Sequence, residues 1–218
     1  MAVHLHRDLE KLKRELLLLG SLVEDLTRRA VLALKERRED LAEQVDLDDK
    51  EVDEREIRLE EDCLKILALH QPVANDLRFV VTAMKVNNDL ERVGDLAGNL
   101  ANRAAFLAGR DPVSIPEELL AMADRVPGML RRSLDALVEQ DTAKARSVLK
   151  DDAVVDEIHK QLFVILEERM KDMPERISEW IQLLSASRYL ERIADLATNI
   201  AEDVVFLVDG AVVRHRPW

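Results

Sequence analysis

The 218-residue chain is poor in the residues that make turns, cross-links and membrane spans, with one cysteine, six glycines and six prolines. The single Cys63 excludes an intramolecular disulfide and a cysteine-rich zinc site. Scarce glycine and proline disfavour folds built from many short strands. No apolar run approaches the roughly 18 residues of a membrane span. The first residues lack the apolar core of a signal peptide, and Ala2 excludes N-myristoylation, so we expect a soluble, cytoplasmic protein.

Basic residues are also in deficit, with 32 Lys and Arg against 44 Asp and Glu, which gives a net charge of −12. This balance argues against a nucleic-acid partner, because binding to a phosphate backbone needs clustered Lys and Arg. It suits a protein that collects cations. Apolar residues make up 47% of the chain and aromatic residues 3%, a composition typical of long helices packed through aliphatic side chains.

Hydrophobic periodicity predicts six long helices. In the first, apolar residues recur in alternating steps of four and three from Leu5 to Ala33. Gln71-Pro72 and the segment from Gly109 to Pro112 interrupt the pattern, because proline disfavours helix at the residue before it. The predicted helices cover residues 4–38, 39–70, 73–107, 116–139, 141–173 and 174–208.

The second half of the chain repeats the first. Residues 90–101 and 190–201 are identical at eight of twelve positions, at an offset of 100. The acidic segment from Asp48 to Glu54 returns from Asp151 to Glu157, at an offset of 103. The sequence therefore predicts an all-α fold of two tandem three-helix bundles, related by internal duplication, over residues 1–109 and 113–218.

Acidic pairs with i, i+4 spacing occur at equivalent places in both halves. Residues four apart share one helix face, where like charges repel by roughly 0.2–0.5 kcal/mol. Among 44 acidic residues about nine such pairs arise by chance, and a solvated helix face explains most of them. Recurrence in both halves favours a bound di- or trivalent cation. The pairs are Asp49/Asp53, Glu91/Asp95, Asp152/Asp156 and Glu191/Asp195.

Helical geometry predicts that these carboxylates lie at the protein surface. At 100° per residue, Glu91 and Asp95 point about 130–170° away from the apolar stripe of their helix, in a column that Asn99 continues. Asp49 and Asp53 lie on the flank of their stripe. We therefore expect a site that bridges two neighbouring helices. Oxygen ligands without Cys or His favour Fe³⁺, Mn²⁺, Mg²⁺ or Ca²⁺.

Several nearby residues have simpler interpretations. The Gly94-x-x-x-Gly98 spacing predicts a close helix approach, and Arg92 and Arg192 are expected to pair with neighbouring acids. His70 and His159 are isolated in the sequence. No Glu-x-x-His pair, phosphate-binding glycine loop or nucleophile motif is present, so we expect no enzyme.

Four segments resemble the PhoU family, the accessory regulators of the phosphate-specific ABC transporter. They are Gln71–Arg78 (QPVANDLR), Asp89–Asp95 (DLERVGD), Glu191–Asp203 (ERIADLATNIAED) and Gly210–His215 (GAVVRH). Length, duplication and helix order match the family as well. The resemblance therefore covers essentially the whole chain.

The resemblance implies multinuclear metal clusters on the protein surface, held by paired E/D-x-x-x-D motifs, with iron the favoured metal and Mn, Mg or Ca as alternatives. The implied ligands are Asp49, Asp53, Glu91 and Asp95 for one cluster, and Asp152, Asp156, Glu191 and Asp195 for the other. Helix faces that are not used within the monomer can support a homodimer, which we expect. The resemblance also implies a negative regulator of phosphate uptake and starvation signalling. Its partners would be the transporter ATPase subunit and a membrane sensor histidine kinase, without nucleic acid or membrane insertion.

Two alternatives from other classes stay open at this point. The first is a metal-free helical scaffold that acts only through protein contacts, with the acidic pairs solvated. The second is a carboxylate-bridged metal enzyme, which the missing Glu-x-x-His pairs disfavour.

Overall fold

The computed structural model describes residues 2–210, and within them it contains helices and no strand. The last part of the Gly210–His215 segment lies outside the described residues. In chain order the helices are α1 (Ala2–Glu36), α2 (Glu39–His70), α3 (Ala74–Ala108), α4 (Glu117–Glu139), α5 (Thr142–Asp172) and α6 (Ile177–Asp209), with a 3-10 turn at Pro174–Arg176. The all-α prediction with six long helices is confirmed. Most helix ends lie within two residues of their predicted positions.

The helix ends have local causes. Helix α2 ends at His70, because Gln71 adopts a left-handed conformation (φ 48°). Pro72 comes next and has no backbone N–H group with which to continue the helix. Helix α5 begins after Asp141, whose side chain accepts hydrogen bonds from the backbone N–H groups of Ala143 (2.8 Å) and Lys144 (3.0 Å). The first three residues of the sixth predicted helix, Pro174–Arg176, form a short 3-10 turn, and the α-helix begins at Ile177.

Aliphatic side chains fill the core, as the periodicity predicts. The α1 stripe from Leu12 to Ala33 is buried, and Leu5 and Leu9 pack partly buried against the same core. The stripes of α3 and α6, including Leu90 and Leu190, are also fully buried. This burial of apolar surface is the main force that holds the helices together.

Each half forms a three-helix bundle, and the two bundles pack against each other. Helices α1, α2 and α3 contact one another, helices α4 and α5 both pack on α6, and α3 packs along α6 while α1 touches α4. Lys85 Nζ lies 3.0 Å from Asp203 Oδ1, and Arg103 Nη1 lies 2.9 Å from Gln182 Oε1. The first contact joins the N-terminal part of α3 to the C-terminal part of α6, and the second joins the C-terminal part of α3 to the N-terminal part of α6. These central helices are therefore antiparallel. The halves are therefore related by an approximate two-fold rotation.

Candidate metal centres

The first acidic cluster lies between α2 and α3. Val52 on α2 and Val93 on α3 are fully buried between the helices, which leaves Asp49 and Glu91 half-buried and Asp53 and Asp95 exposed. Burial raises the pKa of Asp49 to about 6, with further contributions from the charges of Asp95 and Asp53. Burial also raises the pKa of Glu91, and the charge of Asp95 adds to it. The carboxylates of both helices therefore share one patch.

Glycines on α3 let Asp49 approach closely. A Cβ atom on Gly94 would lie 2.8 Å from Asp49 Oδ1 and 3.2 Å from Val52 Cγ1, and one on Gly98 would lie 3.6 Å from Asp49 Oδ2. Contacts below 3 Å are too short for a real Cβ atom, so an alanine at position 94 would displace the Asp49 carboxylate from this arrangement. The predicted close helix approach is confirmed. Asp49 Oδ1 is buried and has no hydrogen-bond partner.

The second acidic cluster lies between α5 and α6. One oxygen each from Asp152, Asp156 and Asp195 lies within 4.8 Å of the others. Such a spacing allows all three to bind one cation at the usual 2.0–2.6 Å. Burial raises the pKa of Asp152 to about 6, and the charges of Asp156, Asp195 and Glu191 contribute. Asp152 Oδ1 repeats the position of Asp49 Oδ1: it is buried without a hydrogen-bond partner.

The two predicted ligand sets differ in compactness. Among the residues that the structure describes, the α5–α6 trio alone brings three oxygens within 4.8 Å. Glu191 stands beside the trio, where burial first and then the charges of Asp195 and Asp156 raise its pKa. The quartet of α2 and α3 is electrostatically coupled but more widely spaced. Asn99, placed in the same column by the helical pattern, donates instead to the Asp95 carbonyl oxygen at 2.8 Å.

The donor chemistry and the buried oxygens fit a metal ion at both places. A buried carboxylate oxygen without a donor is costly, and a cation bound there would remove the cost together with the mutual repulsion. Carboxylate oxygens are hard ligands that suit Fe³⁺, Mn²⁺, Mg²⁺ or Ca²⁺. Metal binding by these eight residues stays a prediction.

A pair of side chains next to each cluster was missed in the sequence. In the first half, Asn87 Nδ2 donates to Glu56 Oε1 at 3.0 Å. At the equivalent positions of the second half, His159 Nδ1 lies 3.1 Å from Ser187 Oγ, and burial lowers the pKa of His159. The offsets of 103 and 100 align these residues in the sequence and could have revealed the pairing.

Both histidines have partners in the fold. His159 forms the contact with Ser187 just described, and His70 Nε2 lies 3.0 Å from Asp8 Oδ2. Each histidine, although isolated in the sequence, therefore has a side-chain partner in the structure.

The expectation for the two arginines is half correct. Arg92 Nη1 lies 3.8 Å from Asp89 Oδ1. Arg192 has no ion pair within 4.0 Å among the described residues, although its charge opposes the rise in the pKa of the neighbouring Glu191 and Asp195. Tyr189 takes the place of Asp89 in the second half, so the partner is missing there. Within residues 2–210, no helix is long and apolar enough to cross a membrane.

The family model for the PhoU domain matches this chain twice, at residues 16–104 and 119–204. The chain belongs to the PhoU family. A PhoU homolog of Clostridium acetobutylicum, named as a phosphate-specific transport system accessory protein, is 36% identical over 94% of both chains. The Pseudomonas aeruginosa protein of the same name is 39% identical over 95% of this chain and 86% of its own. The resemblance to PhoU in the sequence is therefore confirmed.

Crystal structures of PhoU proteins have the same fold. PhoU from Pseudomonas aeruginosa superimposes with a TM-score of 0.92 at 37% identity, covering 94% of this chain and 99% of that one. The phosphate transport system regulatory protein PhoU from Streptococcus pneumoniae gives 0.85 at 30% identity, covering 96% and 99%. The relatives from Clostridium acetobutylicum and Pseudomonas aeruginosa are named as accessory proteins and the Streptococcus pneumoniae protein as a regulatory protein, which fits the expectation of no enzymatic activity.

Proposed function

We propose that this protein is an accessory regulator of a phosphate transport system, which dampens phosphate uptake and starvation signalling. Family membership over nearly the whole chain supports this role, because the relatives are named as accessory proteins of phosphate-specific transport. In this role it contacts the transporter ATPase subunit and the membrane sensor histidine kinase from the cytoplasm. A homodimer, formed through helix faces that are not used within the monomer, is part of the proposal.

Metal ions at the two acidic clusters are the second part of the proposal. The observation that carries it is the buried, donor-free oxygen that occurs at the same position of both halves, on Asp49 and Asp152. Asp152, Asp156 and Asp195 would hold an ion directly, with Glu191 beside them. Asp49, Asp53, Glu91 and Asp95 would hold the other. A bound cation supplies positive charge that neutralises the carboxylates and ties each helix pair together.

Elemental analysis of the gently purified protein tests the metal sites. We expect stoichiometric metal in the wild type, and loss of the α2–α3 share in the double variant Asp49→Ala plus Glu91→Ala. The matched control is Glu54→Ala plus Glu61→Ala on α2, whose side chains are 68% and 61% exposed. Equal metal content in both double variants would contradict the assignment.

A metal-free helical scaffold is the second candidate, and one observation favours it. The apolar core of both bundles is closed without any metal ligand in it, so the fold does not need an ion to form. Protein stripped by a chelator distinguishes the two. If the stripped protein keeps both its fold and its partners unchanged, the scaffold is favoured; loss of partner binding with the fold intact supports the metal-dependent regulator.

Recovery of partners from cells tests the regulatory role. Tagged protein from phosphate-replete cells is expected to copurify with the transporter ATPase subunit and the sensor kinase. Cells starved of phosphate and an untagged strain provide the controls. Recovery of neither partner at any phosphate level would overturn the regulatory assignment, while leaving the metal measurements above unaffected.

A further inference from the structure

An open groove of about 530 Å³ runs between α5 and α6 beside the second acidic cluster. Asp195 belongs to both the cluster and the groove, so a molecule in the groove would lie next to an ion held by the trio. The lining of the groove includes Phe163, Leu184, Arg188, Glu191, Arg192 and Asp195. The groove therefore combines apolar walls with both signs of charge.

Two guanidinium groups in this groove have no carboxylate within ion-pair distance among the residues that the structure describes. Arg188 and Arg192 are four residues apart on α6 and exposed, and neither forms an ion pair or a hydrogen bond with a residue that the structure describes. Both are close enough to Glu191 to oppose the rise of its pKa. Because residues at this spacing share a helix face, the two side chains can act on one ligand.

The first half lacks this arrangement. Asn88 occupies the position of Arg188, and Arg92 is engaged with Asp89. The pair of arginines at i, i+4 spacing is therefore a property of the second half alone. The duplicated sequence thus provides an internal control for the function of this pair.

We propose that the α5–α6 groove binds a phosphate-type oxyanion between the guanidinium groups of Arg188 and Arg192 and a metal ion held by Asp152, Asp156 and Asp195. Guanidinium groups donate paired hydrogen bonds that match the oxygens of phosphate. This inference rests on the metal binding proposed above. It gives the protein a direct way to read a phosphate group, in addition to its contacts with partners.

Charge makes the binding conditional on the metal. Without an ion, Asp152, Asp156, Glu191 and Asp195 repel an anion at short distance. A di- or trivalent cation would neutralise two or three of these four negative charges, and the guanidinium groups of Arg188 and Arg192 add two positive charges beside it. Metal and oxyanion should therefore bind cooperatively, each raising the affinity of the other by the same factor.

Equilibrium dialysis with radiolabelled inorganic phosphate tests the proposal on the full-length protein. We expect the Mn²⁺-loaded protein to bind phosphate and the chelator-treated protein to bind at least tenfold more weakly. Arg188→Gln plus Arg192→Gln should weaken binding by roughly tenfold per arginine, with its Mn²⁺ content unchanged. The control Arg92→Gln in the first half should leave phosphate affinity unchanged, and circular dichroism verifies that each variant is folded.

The source of the phosphate group is decided by a second arm with O-phosphoserine. Tighter binding of inorganic phosphate identifies a free anion, and tighter binding of the monoester identifies a phosphorylated side chain; either supports the groove when the arginine pair is required. The proposal is overturned if Mn²⁺-loaded protein binds neither, if binding is unchanged in the arginine double variant, or if binding needs no metal. Metal binding without phosphate binding would refute this inference and leave the proposed function intact.

Discussion

The two halves of this protein each carry four carboxylates at equivalent positions, but the surroundings of these carboxylates differ. In the first half Gly94 lets Asp49 press against α3, whereas Ala194 fills the equivalent position in the second half. The second half nevertheless brings three carboxylate oxygens within 4.8 Å, and the first does not. The comparison teaches that duplication preserved the type of ligand, while the approach of the two helices sets the geometry.

The neighbours of the clusters differ as well. Glu56 beside the first cluster becomes His159 beside the second, and its partner Asn87 becomes Ser187. Together with Arg188 at the position of Asn88, these exchanges make the surroundings of the second cluster less negative. The two clusters are therefore expected to differ in affinity and in what binds next to the metal.

The largest expected effect is the loss of stability when a buried leucine is shortened to alanine, and this loss should be similar in the cores of the two halves. Leu90 and Leu190 occupy equivalent, fully buried positions. We expect Leu90→Ala and Leu190→Ala each to lower the free energy of unfolding by about 2–5 kcal/mol, through lost burial and the cavity left behind. Thermal or urea unfolding measures this. A cost above 2 kcal/mol in one half and near zero in the other would show that the halves do not share one type of core.

The next largest expected effect is a difference in metal affinity between the two halves. Because its oxygens are already close together, the α5–α6 cluster should bind Mn²⁺ about tenfold more tightly than the α2–α3 cluster. In calorimetric titration, Asp152→Asn plus Asp156→Asn should remove the tighter phase. Asp49→Asn plus Asp53→Asn should remove the weaker one. The reverse assignment of phases would contradict the geometric argument.

The pH dependence of the metal-free protein should be shared by both halves. Asp49 and Asp152 have pKa values of about 6 in the folded protein against an ordinary value of 3.8. The folded state thus holds more protons between these values, and the free energy of unfolding falls as pH rises from about 4 to about 6 and then levels off. Partial exposure limits each contribution to about 1–2 kcal/mol.

Replacing one of these aspartates by asparagine shows how much it contributes to the pH dependence of the free energy of unfolding. In chelator-treated protein at pH 8, Asp152→Asn should raise the free energy of unfolding by about 1–2 kcal/mol and reduce the slope. Urea unfolding across this pH range is the measurement. Glu157→Gln, an exposed position on the same helix, should change neither. An Asp152→Asn variant less stable than the wild type at pH 8 would contradict the assigned cause, burial of a charged group.

The smallest effect concerns the glycine itself. Gly94→Ala gains helix propensity of roughly 1 kcal/mol but pushes the Asp49 carboxylate away from its site. The free energy of unfolding should therefore change by less than about 1 kcal/mol. The Mn²⁺ affinity of the first cluster should fall. Ala194→Gly should lose about 1 kcal/mol of stability, because the helix loses its better helix former. Urea unfolding measures the change in stability of both variants, and calorimetric titration measures their Mn²⁺ affinity. Unchanged Mn²⁺ affinity in Gly94→Ala would show that Asp49 is not a ligand.

Periodicity and duplication were enough to predict the fold. The aliphatic stripe of α1 and the breaks at Pro72 and near Gly109 depend on local sequence, and both appear where expected. The outward direction of Glu91 and Asp95 also follows from helix geometry alone. Such features depend on one helix at a time, so a sequence pattern contains them.

Distances between helices could not be predicted in the same way. The trio of Asp152, Asp156 and Asp195 depends on how closely and at what rotation α5 meets α6, which many packed side chains determine together. The missing partner of Arg192 is similar, because an arginine side chain has several rotamers and its contacts depend on Tyr189 and the groove. Chemistry at the site is therefore readable from the sequence, and its geometry is not.

The seam between α3 and α6 restricts which halves can join. Lys85 meets the buried Asp203, and the residue at the position of Asp203 in the first half is Arg103. Two first halves joined through α3 would set Lys85 against Arg103, and two second halves would leave Asp203 facing the uncharged Ser185. The charges at this seam thus favour the pairing of one first half with one second half over the pairing of two copies of either half.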